Sequence, residues 1–209
     1  MYSDPVPKIS DQHRSERRQR ILDAAIACFA RRGIHQTSMA DIFQEAGMSA
    51  GSVYLYFNSK ESILEAIAEA RHSRESSLIE RALRGSDARA VLHDLADAYF
   101  SWFADPDEMT RRRAALQVWS EAAHNERLRE IVQVGSNQRL AIVGLLDRAR
   151  TLRQLDPELE ADAVSRVCLA LLQGFLLQQC WEPDLDIGPY AAVVHALVDS
   201  LLHEAADPE

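Results

Sequence analysis

The feature that most constrains the fold is the segment 20–64, where short apolar patterns of helical period are separated by glycines. In the first pattern apolar residues recur at steps of three and four, as on the buried face of a helix. These residues are Ile21, Leu22, Ala25, Cys28 and Phe29. Gly33 then ends the helix as a left-handed cap would. Ser38 and Ser49 each precede a further short helix as an N-cap, so the segment predicts three compact helices.

The second and third of these helices are the part of the segment that predicts a function. Asp41 follows Ser38 by three residues, as the acid of a capping box does, and Gly47 closes the second helix. In the third helix Val53 and Phe57 face inward. The opposite, exposed arc carries Gly51, Ser52, Tyr54 and Leu55. This mixture suits close approach to base edges, sugars and thymine methyl groups, so it predicts a helix-turn-helix that docks on duplex DNA. An ordinary three-helix domain is the alternative.

The segment resembles the DNA-binding domain of the TetR family of transcriptional regulators. The residues that match the family's pattern are Gly33, Thr37, Ser38, Ile42, Ala46, Gly47, Ser49, Gly51, Tyr54, Phe57, Lys60 and Leu64. Each match is weak alone, but the ordered set is specific. Phe43 departs from the pattern, because the family usually has a small residue there, and we expect it to alter the packing of the first two helices.

The resemblance implies which side chains contact DNA. Phosphate contacts are expected from Thr37, Ser38, Tyr54, Tyr56 and Lys60. Hydroxyl groups and helix amino termini are natural phosphate partners, although a solvated surface lysine is the alternative for Lys60. Base contacts are expected from the third helix after its cap Ser49, at Ala50, Gly51, Ser52 and Leu55. None of these four can make a bidentate pair with a base, so specificity is expected to depend on methyl contacts, backbone approach and DNA shape.

The charge distribution agrees with a DNA-binding amino-terminal region, although the whole chain has a formal net charge of -9. Residues 1–60 contain eight Lys or Arg and six Asp or Glu residues, whereas the remainder contains 15 and 26. This asymmetry directs one face toward DNA. Residues 12–20 are rich in arginine, and we expect either an arm along the DNA or the frayed start of the first helix.

Beyond Leu64 the chain keeps a helical period, and no stretch alternates long enough to predict a sheet. With the first three helices this gives an all-α fold of about nine helices, which is also the number that the resemblance implies. The later helices are predicted at about 59–83, 87–104, from Asp105-Pro106 onward, 125–153, 156–181 and 188–204.

Three regions follow from this pattern. We expect a disordered tail at residues 1–10 and a helix-turn-helix DNA-binding domain at 11–64. A larger helical domain for ligand binding and dimerisation is expected at 65–205, and residues 206–209 are expected to be disordered. Because the boundary falls inside the fourth helix, a rigid helix should join the two domains.

The last two predicted helices carry wide apolar stripes. In the proteins that the chain resembles, these two helices pair with their copies as a four-helix bundle, which implies a homodimer with two recognition helices about one DNA turn apart. The residues expected at the dimer interface are Val164, Val167, Leu171, Phe175, Val194, Leu197, Val198 and Leu201. The alternative is that the stripes cover the fifth to seventh helices.

Aromatic residues in the middle of the chain predict an apolar pocket for a small-molecule effector. The expected lining is Tyr99, Trp102, Phe103, Leu116, Trp119, Gln173, Leu177 and Trp181. The effector would then be a mid-sized, largely hydrophobic or aromatic molecule, although each such residue is more often plain core. For the run Arg111 to Arg113 a solvated face is preferred over an anion site.

The resemblance implies a ligand-responsive regulator, most often a repressor that leaves its operator when the effector binds. The sequence does not distinguish repression from activation. A helical interaction or ligand-binding protein that has lost DNA binding is the alternative, but Gly51, Tyr54 and Lys60 are all retained.

Other classes of function have weaker support. Only His195, Asp199 and His203 share a helix side as metal ligands would, and a polar solvated face is preferred; we expect no metal, no cofactor and no enzyme activity. The three cysteines match neither a disulfide framework nor a zinc spacing. The first twenty residues are polar and no apolar run approaches a membrane span, so no membrane association and a cytoplasmic location are expected.

Overall fold

The structure is a computed structural model that describes residues 11–85, 87–105 and 108–202. Within these ranges the chain forms nine α-helices and no β-strand, apart from an isolated bridge between Leu155 and Leu202. The helices are α1 (Asp11–Arg32), α2 (Met39–Ala46), α3 (Ala50–Tyr54), α4 (Lys60–Ala82), α5 (Ala88–Ala104), α6 (Glu108–Ala122), α7 (Glu126–Thr151), α8 (Ala161–Trp181) and α9 (Ile187–Leu201). The predicted all-α fold is confirmed. The predicted disordered ends, 1–10 and 206–209, lie outside the described residues.

The caps of α2 form as the sequence predicts. The Ser38 hydroxyl accepts from the Asp41 amide at 3.2 Å, and the Asp41 carboxylate accepts from the Ser38 amide at 2.8 Å. Hydrogen bonds from Ser38, with help from the nearby Arg32, lower the pKa of Asp41 to about 2. Gly47 ends the helix in the left-handed region at φ 59°, where a Cβ atom would lie 2.9 Å from the guanidinium of Arg20. The α2–α3 turn therefore depends on glycine for two separate reasons.

A single hydrophobic core joins the first four helices to α6 and α7. The buried face of α1 packs there with Ile42 of α2, Val53 of α3, Val118 of α6 and Leu128 of α7. Two charged contacts also connect α1 and the loop after it to α6. Arg111 donates to Asp23 at 2.9 Å, and His35 lies 3.1 Å from Glu121. The amino-terminal helices therefore pack directly against α6, and α4 connects them to the rest of the chain.

The remaining helices enclose two further hydrophobic cores. One lies mainly between α5, α7, α8 and α9 and contains Leu145, Leu146 and Val198. The other is aromatic and contains Phe100, Phe103 and Phe175, with the rings of Phe100 and Phe175 edge to face at 5.7 Å.

Arg112 occupies a buried position at the end of α5, so the expected solvated face is wrong for this residue. Its side chain, in a residue only 4 % exposed, donates to the carbonyls of Trp102 at 3.3 Å and Asp105 at 3.1 Å, and also to that of Phe103. It donates to the amide oxygen of Gln179 at 2.9 Å. The last carbonyls of a helix lack partners within the helix, and Arg112 supplies donors for them while tying α6 to α8.

The eighth helix begins later than predicted. Asp156 and Pro157 form a turn instead of a helix start, with the Asp156 carboxylate accepting from the Glu158 amide at 2.9 Å. Just before the turn, buried Leu155 bridges to Leu202 after α9. This tertiary pairing fixes the chain in an extended conformation there, and α8 starts only at Ala161.

Helix α8 is long and apolar enough, by length and composition alone, to cross a membrane. Buried residues account for 28 % of its apolar window. A core helix of a soluble protein passes the same test, so the finding is weak evidence for a membrane span. The part of α8 that is not buried forms an exposed apolar surface.

Candidate DNA-binding surface and ligand pocket

Helix α3, which we call the recognition helix, has one buried and one exposed side. Val53 is fully buried in the first core, whereas Leu55, just after the helix, is 82 % exposed and Tyr54 is also exposed. No atom lies within 4 Å of a Cβ built at Gly51, so this position opens to free space. Ser49 caps the helix by accepting from the Ser52 amide at 3.3 Å. The structure thus places the predicted base-contacting residues, including exposed Ala50, on one accessible surface.

The exposed side chain of Tyr54 packs against Phe43 of α2. The rings of Phe43 and Tyr54 meet edge to face with centroids 5.3 Å apart, and Phe43 itself packs against the first core. Tyr56 is half-buried against the same core. The large residue that departs from the family's pattern therefore contacts the recognition helix through Tyr54, and its expected effect on the packing of α1 and α2 stays a prediction.

Thr37 and Lys60 hold the loop between α1 and α2. The Thr37 side chain is buried and its hydroxyl donates to the Gly33 carbonyl at 2.8 Å, so the predicted phosphate contact from this hydroxyl is wrong. The Lys60 ammonium donates to the carbonyls of Ile34 at 2.8 Å and Thr37 at 3.0 Å. Lys60 therefore has a structural role, and its phosphate contact stays a prediction that rests on its third N–H group. Ser38 is exposed and its phosphate contact also stays a prediction.

The arginine-rich segment is helical from Asp11 onward, so residues 12–20 do not form an extended arm. Arg18 lies over the ring of Phe57, 5.3 Å from its centroid, and Arg20 lies beside the turn at Gly47. The sequence indicated a basic region but not that these two side chains pack against the turn and the residues flanking the recognition helix.

A cavity of about 320 Å³ lies among the carboxy-terminal helices. Four residues predicted for the pocket line it: Tyr99, Phe103, Trp119 and Gln173. The rest of its wall is largely aliphatic, from α4, α5, α7, α8 and α9. Its volume falls at the lower end of the range for small-molecule sites, about 300–1,000 Å³.

Four other pocket predictions are wrong for this cavity. Trp102 lines a second cavity, of about 490 Å³, between α1, α4 and α6. Leu116 and Leu177 are half-buried and line neither cavity. Trp181 is 71 % exposed, because it is the last residue of α8 and extends past the packed part of the helix.

Charged groups that were not predicted from the sequence lie in the wall of the first cavity. Arg71 lies 2.8 Å from Glu75 and 5.2 Å from the ring centroids of both Trp102 and Trp119. Burial raises the pKa of Glu75, but the hydrogen bond from His72 and the charge of Arg71 outweigh burial and lower it overall. In the sequence this pair is visible as an Arg and a Glu four residues apart in α4, but such pairs are usually solvated, so the spacing does not indicate a cavity wall.

The same charged groups affect the nearby tyrosine. Burial, together with the negative charge of Glu75, raises the pKa of Tyr99 well above its usual value. Tyr99 therefore keeps its phenol proton and can donate a hydrogen bond to a ligand at neutral pH. Four residues line both cavities and form the partition between them: Arg71, His72, Trp119 and Val132.

The outer surface of α8 and α9 is apolar but incompletely covered. Val167 is 58 % and Leu197 is 41 % exposed, and both also line the mouth of the first cavity. By contrast Val164, Phe175 and Val198 are buried inside the protomer, so their predicted place at a dimer interface is wrong. They fill the cores against α5 and α7, as the alternative interpretation of the stripes expected. Leu171, Val194 and Leu201 are half-buried and line the cavity.

Two of the three residues that share one side of α9, His195 and Asp199, are among those that the structure describes. Asp199 pairs with Arg89 at 2.6 Å and with His93 at 2.8 Å, and His203 lies outside the described residues. Among the residues that the structure describes, no group of three or more His, Cys, Asp or Glu side chains is arranged to hold a metal ion.

The fold and the exposed recognition helix define a helix-turn-helix protein with a helical carboxy-terminal domain. Residues 21–67 match the family model for bacterial regulatory proteins of the TetR family. Residues 88–203 match the model for the carboxy-terminal domain of BetI-type transcriptional repressors. The chain belongs to the TetR family of bacterial transcriptional regulators.

Known members of this class resemble the chain over most of its length. The regulator TtgR of Pseudomonas putida is 26 % identical over 187 residues, which cover 90 % of this chain and 79 % of TtgR. The regulator BetI of Vibrio vulnificus is 26 % identical over 171 residues, or 80 % of this chain and 83 % of BetI. SmeT is a repressor from Stenotrophomonas maltophilia. The structure of its complex with triclosan matches this chain with a TM-score of 0.74 and 26 % identity, over 93 % of this chain and 98 % of SmeT. Each of these relatives is a transcriptional regulator or repressor by name.

Proposed function

We propose that this regulator is a repressor released from its operator by a mid-sized, largely hydrophobic or aromatic molecule bound in the first cavity. The observation that carries the proposal is the position of α6. Trp119 of α6 lines the cavity, whereas Val118 on the adjoining face packs with α1 in the first core. A ligand that displaces Trp119 therefore acts on a helix that is packed directly against the DNA-binding helices.

The DNA contacts would come from the exposed surface around the recognition helix. We assign base contacts to Ala50, Gly51, Ser52 and Leu55 and phosphate contacts to Ser38, Ser49, Tyr54, Tyr56 and Lys60. Residues 1–60 contain eight basic and six acidic residues, whereas the remainder contains 15 and 26, so the amino-terminal region would be the part that DNA attracts. Residues 11–64 are the proposed DNA-binding domain and 65–205 the proposed effector and dimerisation domain.

The uncovered face of α8 and α9 supports a homodimer. Exposed apolar side chains on two neighbouring helices mark an association surface, and two recognition helices are needed to bind a two-fold operator. We therefore assign the dimer interface to Val167 and Leu197, with contributions from the half-buried Leu171, Val194 and Leu201. The cytoplasm is the proposed location, without a membrane partner and without enzyme activity.

Introducing charge on this face should separate the protomers. We expect Val167→Glu and Leu197→Glu each to convert the dimer to a monomer, because a carboxylate would be buried without a partner. Analytical ultracentrifugation at several protein concentrations measures the change. Leu152→Glu is the matched control, since Leu152 is 61 % exposed at the end of α7 and should leave the mass unchanged. If both Val167→Glu in α8 and Leu197→Glu in α9 remain dimers, the assignment of the interface is contradicted.

The ligand response can be tested with triclosan as an aromatic probe, since SmeT binds it. Triclosan should release the wild-type protein from its operator duplex, measured by fluorescence anisotropy. Trp119→Ala should raise the triclosan concentration required for release at least tenfold. Trp181→Ala should respond as wild type, because Trp181 lies outside the cavity. Identical responses from the wild type and the Trp119 variant would contradict the assigned pocket.

A further inference from the structure

Two histidines from different helices face each other outside the DNA-binding surface and away from the aromatic end of the cavity. His93 of α5 and His195 of α9 bring their Nδ1 atoms into contact. Their ring planes differ by 10° and their centroids are 4.6 Å apart. Because the planes are nearly parallel and the Nδ1 atoms touch, the rings meet edge to edge in a common plane.

The other nitrogen of each ring is held by a carboxylate. His93 Nε2 lies 2.8 Å from Asp199 Oδ1, and His195 Nε2 lies 2.8 Å from Asp97 Oδ1. An ionised carboxylate only accepts hydrogen bonds, so each Nε2 atom carries a proton and donates it. In the neutral tautomer with the proton on Nε2, the lone pair of each ring lies on Nδ1, and the two Nδ1 atoms face each other. Two lone pairs in contact repel each other unless a cation lies between them.

This arrangement is the one that proteins use to prepare histidine for metal ligation. A histidine ligand almost always donates its second N–H group to a carboxylate or carbonyl, which fixes the tautomer and increases the basicity of the ligating nitrogen. Imidazole nitrogen favours zinc and the neighbouring divalent metals, at about 2.0–2.1 Å for zinc.

We propose that His93 and His195 bind one divalent transition-metal ion, such as Zn²⁺, through their Nδ1 atoms. Asp97 and Asp199 position the two rings and do not ligate the metal. Among the described residues these two histidines are the ligands, and water can reach the ion because both side chains are about a quarter exposed. The rings need only rotate apart until both Nδ1 atoms are at ligating distance.

Charges around the pair are compatible with a dication. Asp97 and Asp199 supply two negative charges, and Arg89, which lies 2.6 Å from Asp199, supplies one positive charge. The site is therefore net negative before the ion binds. The bound ion would fasten α5, which carries Tyr99 and Phe103 of the cavity wall, to α9, which carries the exposed apolar face.

Calorimetric titration of the chelator-treated, full-length protein with ZnCl₂ tests the site directly. We expect one ion per chain, and at least tenfold weaker binding in His93→Ala and in His195→Ala. Asp97→Asn should keep one ion per chain but weaken binding by about 10- to 100-fold, as loss of a ligand's carboxylate partner does elsewhere. His124→Ala, which alters an exposed histidine in the turn after α6, is the matched control and should bind as wild type.

A second measurement separates ligation from damage to the fold. Zinc should raise the thermal midpoint of the wild type in a concentration-dependent way, and both histidine variants should lose this rise while keeping a cooperative transition. Burial raises the pKa values of the Cys168 and Cys180 thiols, which disfavours the thiolates that would compete for zinc. Equal zinc binding by the wild type and His195→Ala, or no binding by the wild type, would overturn the proposal. In the second case the two rings share a proton.

Discussion

Replacing Arg112 with methionine should lower the free energy of unfolding by about 3 kcal/mol or more. The substitution removes the donors to the Phe103 carbonyl and to the buried amide oxygen of Gln179, whereas the carbonyls of Trp102 and Asp105 keep backbone donors. Each buried acceptor left without a partner costs about 1–3 kcal/mol, and the loss would also disconnect α6 from α8. Urea denaturation followed by circular dichroism, at one fixed protein concentration, measures the difference.

The neighbouring arginine provides the control for this substitution. Arg113 is exposed on the same helix, so Arg113→Met should change stability by no more than about 0.5 kcal/mol. Methionine in place of either arginine removes the same charge and retains a helix-forming side chain. If both variants unfold at the same urea concentration as the wild type, the buried hydrogen bonds of Arg112 do not stabilise the fold.

Introducing glutamate at Gly51 should weaken operator binding by at least about 100-fold, or about 3 kcal/mol. The position is exposed on the recognition helix and opens to free space, so the carboxylate would meet the negatively charged DNA. Like charges brought together at an interface cost several kcal/mol. Fluorescence anisotropy with a labelled operator duplex measures the loss, and the thermal midpoint of the free protein should not fall.

Gly51→Ala distinguishes the effect of charge from that of the backbone. Nothing lies within 4 Å of the added Cβ, and alanine is favoured over glycine in a helix by about 1 kcal/mol, so the free protein should be at least as stable as wild type. Its operator affinity should fall less than that of the glutamate variant. Undiminished binding by Gly51→Glu would show that the recognition helix does not approach DNA.

The amino-terminal helices could be predicted because local chemistry determines them. Ser38, Asp41 and Gly47 form the expected caps, and the buried stripe of α1 has the expected residues. The exposed arc of α3 followed from helical spacing around Val53 alone. Where a few neighbouring residues specify the conformation, their order in the sequence is sufficient.

The errors arose where another part of the fold uses a side chain or segment that the sequence pattern assigned elsewhere. Thr37 has the right type for a phosphate contact, but the Gly33 carbonyl takes its hydroxyl. Phe175 and Val198 belong to stripes wide enough for a dimer, yet their packing partners on other helices are not evident from spacing. The Asp156-Pro157 pair matches a helix start, but the chain forms a turn there, in which the Leu159 amide donates to the Asp156 carbonyl at 3.0 Å, and α8 begins at Ala161.

The most direct test of the central claim is selection of genomic DNA fragments by the immobilised protein, with Gly51→Glu selected in parallel and washing at increasing salt. We expect the wild type to enrich a few fragments that share a two-fold sequence, with retention falling steeply as salt rises. The glutamate variant should enrich none of them. The same unselective recovery by both proteins would contradict the assignment of this surface to operator recognition.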